Sequence, residues 1–215
     1  DGDSAPVAIV HLGMSGRLFI DTVQKGATAP EWRLHEHWRM DFGDRLVRLV
    51  DPRRFGALDV ASGAKLGAHK LLANLGQEPL ENGFDGAFLH RISRGRTTSV
   101  KSLLMDGRLL VGVGNIYASE ACFRAYVRPR RRAGSLKLAE CAALASAIQE
   151  VLRAAIDAGG TSFRDYVGVH EDQGFFAREL QVYEREGEPC RRCGAKVRRT
   201  TDGARSTYWC AGCQR

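Results

Sequence analysis

No stretch of this 215-residue chain approaches the roughly 18 uninterrupted apolar residues of a membrane-spanning helix, and none reads as a secretory leader. Internal repeats and low-complexity tracts are also absent, which leaves no solenoid to build. No Ser-His-Asp or Cys-His grouping stands out, so the chain offers no activated nucleophile of the common hydrolase kind. The glycine turn Val111-Gly112-Val113-Gly114-Asn115-Ile116-Tyr117 lacks the Gly-Lys-Ser/Thr ending of a P-loop, and it is not a G-x-G-x-x-G dinucleotide loop. Acidic residues are in the minority. Lys and Arg number 32 against 25 Asp and Glu, a net charge of +7 with a pI near 9.3. That balance favours a polyanionic partner, with nucleic acid first among them.

The six cysteines are the strongest feature present. Cys190, Cys193, Cys210 and Cys213 form two C-x2-C pairs, a spacing that turns four thiolates toward one tetrahedral metal with no position left for water. One structural zinc is expected. Between the pairs run Lys196, Arg198 and Arg199 and then Asp202-Gly203, a turn pair that makes a basic hairpin tip carrying Arg205. The remaining cysteines, Cys122 and Cys141, sit in apolar helical surroundings. Together with zinc in place of disulfides they indicate a reducing, cytoplasmic compartment.

Hydrophobic patterning divides the rest. Val7 to Leu12, Arg17 to Val23, Glu31 to Phe42, Arg45 to Val50 and Ala57 to Val60 read as strands, with Phe42-Gly43-Asp44 as a hairpin turn. No helical crossover separates them, so they predict an antiparallel β-sandwich. Its first strand arrives abruptly, with no neighbour before it. After the linker at 75–80, helices are predicted over Asp85 to Ile92, Ser99 to Met105, Asn115 to Ala125 and Leu138 to Ala158. The last has a core stripe of Leu144, Ile148, Val151, Leu152, Ala155 and Ile156 and stops at Gly159-Gly160.

Several segments could carry chemistry. The 111–117 turn, with Asn115 as the expected helix cap, can present backbone N–H groups to a phosphate. Asp51-Pro52-Arg53-Arg54-Phe55-Gly56 puts guanidiniums beside an aromatic ring in a forced loop, a combination able to enter a DNA stack. In His11-Leu12-Gly13-Met14-Ser15-Gly16 a methionine sits between glycines, an odd place for a core residue. Arg124, Arg128, Arg130, Arg131 and Arg132 read as a solvated basic face at a helix end. His35 and His37 alternate as if on one strand face, without a third metal ligand.

These motifs, with Gly112-Val113-Gly114-Asn115-Ile116-Tyr117-Ala118-Ser119-Glu120 and the four-cysteine finger, occur in an order that resembles the formamidopyrimidine-DNA glycosylase / endonuclease VIII family along the whole chain. The resemblance implies an α+β protein: a β-sandwich remainder over 1–74, a helical helix–two-turn–helix domain over 75–180 and a zinc-finger hairpin over 181–215. It implies a base-excision DNA glycosylase with AP lyase activity on oxidised purines. Met14, Arg53 and Phe55 would fill the gap left by a flipped nucleotide. Asn115 and Arg205 would hold flanking phosphates, with Arg205 also tied to the second strand-cleavage step. His11, His35, Arg96, Lys101 and Tyr183 match positions that contact or lie near the DNA, and Gly159 to Phe176 matches the loop that covers an everted purine. The implied partner is duplex DNA bearing oxidised bases, met by a monomer.

The resemblance also implies an N-terminal Pro-Glu, whose proline amine attacks the sugar to form a Schiff base, and a lysine on a strand before the His11 segment. The sequence, which opens Asp1-Gly2-Asp3, carries none of these. Roughly sixty residues of the family's first domain are therefore expected to lie outside this chain, and the chain alone is expected to be inactive. Two alternatives stay open at this point: a non-catalytic damage-binding protein, and an endonuclease VIII-like glycosylase for oxidised pyrimidines.

Overall fold

The computed structural model describes residues 5–24, 30–159 and 176–215. The chain divides into two compact units, Asp1–Ala73 with Asp157–Arg178, and Asn74–Ile156 with Glu179–Arg215.

The first unit is antiparallel β-structure. Strand β1 (Pro6–His11) pairs with β5 (Ala57–Ser62), and β2 (Arg17–Thr22), β4 (Arg45–Val50) and β3 (Glu36–Asp41) form a second sheet in the order β2-β4-β3. The abrupt first strand thus finds its neighbour some fifty residues later. The hairpin turn forms where expected: Gly43 takes a φ of +88°, and its N–H donates to Asp41 Oδ1 at 2.7 Å. The run Glu31 to Phe42 is not one strand. It enters the sheet only at Glu36, because His35 sits at φ +63° in a turn closed by the Arg33 N–H on Glu36 Oε2 (2.8 Å).

Within β4, Arg48 is 1% exposed, and its guanidinium meets Asp21 at 2.7 Å and Glu36 at 2.9 Å. A charge so buried persists only with such partners. Two registers then place the loops that matter. His11 pairs with Ala57, and Arg17 pairs with Val50, so the 12–16 and 51–56 connections emerge side by side.

The second unit is helical, ending in a hairpin. Helices α1 (Gly86–Ser93), α2 (Val100–Leu104), α3 (Asn115–Arg124) and α4 (Leu138–Asp157) follow the predicted segments. Asp85 caps α1 by accepting from Phe88 N, and Ser99 caps α2 by accepting from Ser102 N. Gly86 is required where α1 approaches α4, since a Cβ there would lie 2.5 Å from Ala142 Cα. The α4 stripe is buried except for Ile156, which is 64% exposed one residue before the helix ends. Strands β6 (Val197–Asp202) and β7 (Arg205–Cys210) form the C-terminal hairpin, with Gly203 at φ +60° in its tip. Its apolar side joins Phe123 of α3, with Val182, Cys190, Val197, Tyr208 and Cys210 in one cluster. Of the described residues, no helix is long and apolar enough to cross a membrane.

Candidate nucleic-acid interface and metal centre

In the first unit, the side-by-side loops are stapled by Asp51. Its carboxylate accepts from Ser15 Oγ at 2.6 Å and from Gly56 N at 2.7 Å, and Ser15 Oγ in turn accepts from Arg53 N at 3.2 Å. The Ser15 hydroxyl, aided by the N–H groups of Gly56, Arg53 and Arg54, holds the Asp51 carboxyl below the usual carboxylate range against the effect of burial. Backbones touch as well: Gly13 has φ +62°, and a Cβ on it would fall 2.6 Å from the Phe55 carbonyl carbon.

This staple brings together three of the side chains singled out in the sequence. Met14 is 64% and Phe55 55% exposed, and the Arg53 guanidinium lies over the Phe55 ring at 4.8 Å. Three polarisable or aromatic groups standing free on a tied base cannot be core. His11 ends β1, exposed, with its carbonyl 2.9 Å from where a Gly56 Cβ would sit. His35 is exposed and its carbonyl accepts from Asp51 N at 2.9 Å. The expectation that His35 and His37 share a strand face is corrected here. His35 precedes β3 in a positive-φ turn, while His37 Nε2 bonds the Asp51 carbonyl at 2.9 Å.

In the second unit, Gly114 is the cap of α3 and Asn115 the first helical residue, so the helix begins one place earlier than expected. The Asn115 amide instead donates to the Tyr183 hydroxyl at 3.1 Å. Tyr183 packs edge-on against Tyr208, and burial pushes its phenol up, partly offset by the Asn115 bond. What holds Tyr183 in place is a residue to which the sequence assigned no role. Glu120 is fully buried in α3, and its carboxylate collects the N–H groups of Gln181, Val182 and Tyr183 at 2.9 to 3.0 Å. A glutamate at the inward spacing of Ala121 and Cys122 was the available signal.

Lys101 is 4% exposed and is not offered to solvent. Its ammonium donates to the Ser206 carbonyl and to Thr207 Oγ1, both at 2.7 Å, fastening α2 to the hairpin. Burial pulls it down to about 8, countered in part by Asp202. Arg205 is exposed at the hairpin tip, beside a hollow lined by Lys101 and Asp202. Arg96 is exposed after α1, its Nε on the Ile92 carbonyl. The arginine cluster is less solvated than expected: Arg131 forks onto Glu140 and Arg130 reaches Asp202 at 3.1 Å. The 160–175 part of the expected covering loop lies outside the described residues, and Phe176 at its end is buried.

The sulfurs of Cys190, Cys193, Cys210 and Cys213 all lie within 4.8 Å of one another. Cys190 to Cys213 is 3.9 Å and Cys193 to Cys210 is 3.5 Å, against about 3.8 Å for a tetrahedron of 2.3 Å zinc–sulfur bonds. Adjacent groups shape each knuckle, with Arg192 N donating to Cys190 Sγ and the Gln214 side-chain Oε1 accepting from Cys210 N at 2.7 Å. Four thiolates with no other ligand fit one structural zinc, and chemistry at the metal has no place here.

Comparison with known proteins agrees with this geometry. Residues 1–58 match the formamidopyrimidine-DNA glycosylase N-terminal domain, 75–167 the formamidopyrimidine-DNA glycosylase H2TH domain, and 187–215 the zinc finger found in FPG and IleRS. The chain is 49% identical over 213 residues to a formamidopyrimidine-DNA glycosylase of Alkalilimnicola ehrlichii, covering 98% of this chain and 76% of that one. It is likewise 49% identical over 208 residues to the one from Methylococcus capsulatus, covering 96% and 74%. Among solved structures, MutM (Fpg) from Thermus thermophilus superposes with a TM-score of 0.86 at 36% identity, covering 97% of this chain and 76% of that one. An Fpg mutant from Lactococcus lactis in complex with Fapy-dG DNA gives 0.86 at 32%, covering 97% and 74%. Motifs, fold and metal ligands therefore converge on one assignment, and the chain belongs to the formamidopyrimidine-DNA glycosylase family.

Proposed function

We propose that this chain provides the DNA grip and gap-filling apparatus of a base-excision DNA glycosylase with AP lyase activity, acting as a monomer on oxidised purines such as 8-oxoguanine and formamidopyrimidines in duplex DNA. The observation that carries the reading is the Asp51 staple, which gathers Met14, Arg53 and Phe55 as an exposed wedge on a fixed base. Turning a base out of the duplex costs a few kcal/mol in stacking and pairing. A ring and a guanidinium inserted in its place offset part of that.

In the second unit, Asn115 at the start of α3 and Arg205 at the hairpin tip would take phosphates, with Arg205 also serving the second strand cleavage. Further DNA contacts would come from His11 and His35 in the first unit and from Arg96 and Tyr183 in the second, while Lys101 supports the hairpin tip from beneath. Zinc supplies only folding of the hairpin. The Schiff base would form on an N-terminal proline amine, as the family resemblance implies.

The test is binding of the 215-residue chain to matched duplexes with and without a stable abasic-site analogue, where the cost of eversion is already removed. Tighter binding to the abasic duplex is expected, and equal affinities would overturn the wedge.

A further inference from the structure

The hairpin face that holds Arg205 continues beyond it. With a side-chain period of two, the cross-strand pairs Asp202 with Arg205, Thr200 with Thr207, and Arg198 with Trp209 stand as three rungs on one face. In the same unit, Arg128, Arg130, Arg131 and Arg215 line an open hollow of about 410 Å³. Two of the four are neutralised, Arg131 by its fork on Glu140 and Arg130 by Asp202. Among the described residues, the side chains of Arg128 and Arg215 have no carboxylate partner.

Arg128 is instead laid over the Trp209 ring at 4.3 Å, with Arg198 at 5.7 Å from the same ring. A guanidinium stacked on an indole keeps its in-plane donors directed outward and ordered for an oxyanion. The indole Nε1 beneath is buried and has no acceptor among the described residues. The hollow is therefore a pre-organised electropositive site that the lesion-centred reading does not use.

We infer that this hollow binds the phosphodiester backbone of DNA flanking the lesion, as a second contact beyond Arg205. The inference rests on the DNA-binding reading above and adds a separate segment of the ligand to it. The link is Asp202, which stands beside Arg205 at the hairpin tip and also accepts from Arg130. From the Arg205 rung to the Arg198 rung is four residues of strand, about 13 Å, which one strand of B-DNA covers in about four nucleotides. A backbone with one phosphate at Arg205 carries further phosphates at a fixed repeat toward Arg128 and Arg215. The phosphate contact proposed for Arg205 on this same unit favours a nucleic acid over an acidic peptide.

The experiment measures the salt dependence of binding for the zinc-loaded chain and its Arg128→Gln/Arg215→Gln variant on two abasic-analogue duplexes. One extends a full turn on each side of the lesion, and the other ends about two nucleotides from it. On the long duplex the slope of log Kobs against log salt should shrink by about 2, near 0.9 for each phosphate no longer neutralised. The trimmed duplex should show no difference, and preference for abasic over undamaged DNA should persist. Arg128→Lys/Arg215→Lys should restore the slope, and retained zinc with an unchanged melting temperature guards against misfolding. Equal slopes for the wild-type chain and the Gln variant on the long duplex would overturn the inference alone. A wild-type chain that bound neither duplex would overturn the DNA reading with it.

Discussion

The side-chain amide of Asn115 donates to the Tyr183 hydroxyl at 3.1 Å, while its own Oδ1 is buried with no partner among the described residues. A neutral amide held this way at the start of a helix can orient a phosphate without adding charge. Asn115→Ala should therefore weaken binding to damaged and undamaged duplex alike and leave the salt slope unchanged. Arg205→Ala should weaken both and lower the slope by about 0.9, because one fewer phosphate is neutralised and one fewer counterion released. Fluorescence titration across a salt series separates the two. A shift in lesion preference without a loss of overall affinity would contradict the phosphate role of either residue.

Glu120 supports that pair from inside. Its carboxylate accepts from three consecutive backbone N–H groups in a fully buried position. Glu120→Gln turns one acceptor into a donor facing a donor, and should destabilise the protein by about 2 to 4 kcal/mol in urea unfolding. Affinity for DNA should also fall, because Tyr183 loses its anchor. An isosteric change with no effect on unfolding would mean that the buried bonds are not holding the 181–183 segment.

Zinc binding should be strongly pH-dependent. Burial and the neighbouring thiols push Cys213 up to about 12, whereas at Cys190 burial is outweighed by the backbone N–H groups of Arg192 and Cys193, which bring it down to about 7. The metal must displace protons from the remaining thiols, so affinity falls as pH falls. Competition with a chromophoric chelator over the neutral pH range should show more than one proton released per zinc. Cys210→Ser should lose metal, and the Phe123 to Tyr208 cluster should loosen with it, which Trp209 fluorescence reports.

What the sequence made legible was local. The C-x2-C spacing, the helical stripe of Leu144 to Ile156 and the turn glycines Gly43 and Gly203 each act within a few residues, so helices, hairpins and metal ligands could be read directly. What escaped it depends on distant partners. His35 leaves the strand because its carbonyl meets Asp51 N, and Arg48 enters a core because Asp21 and Glu36 are brought to it. The wedge residues were visible as oddities of composition, but Ser15 and Asp51, which bind their loops together, look like ordinary loop polar residues until β1 meets β5. Asn115 looked like a cap because Asn favours that place, whereas Gly114 takes it and frees the amide for Tyr183.

Lys101 gives a second pH effect, in the alkaline range. Burial lowers its folded-state value from 10.5 to about 8, so between those values the unfolded chain binds more protons than the folded one. Stability attributable to Lys101 therefore rises with pH across that window and is flat below it, where both states are charged. Melting of the wild-type chain against Lys101→Met should show the difference moving in favour of wild type from about 8 to 10.5 on the pH scale. A difference that stays constant would mean that the ammonium is not held in its buried, depressed state.

The wedge should depend as much on its staple as on its exposed side chains. Phe55→Ala removes the ring that would stack in the gap. A stacking contact is worth about 1 to 3 kcal/mol, so preference for an abasic duplex should drop by about tenfold or more while affinity for undamaged DNA stays near wild type. Asp51→Asn leaves Met14, Arg53 and Phe55 in place but can offer only one oxygen where Ser15 and Gly56 each need an acceptor. If the loops act as one body, this single change inside the protein should erase the same preference that Phe55→Ala does. It should also shift acid unfolding: a carboxyl depressed in the folded state stabilises above its unfolded value of 3.8, and that contribution is lost as pH falls through the lower folded value. Intact abasic preference in Asp51→Asn would show that the exposed residues work independently of the staple, and the wedge would then be three separate contacts.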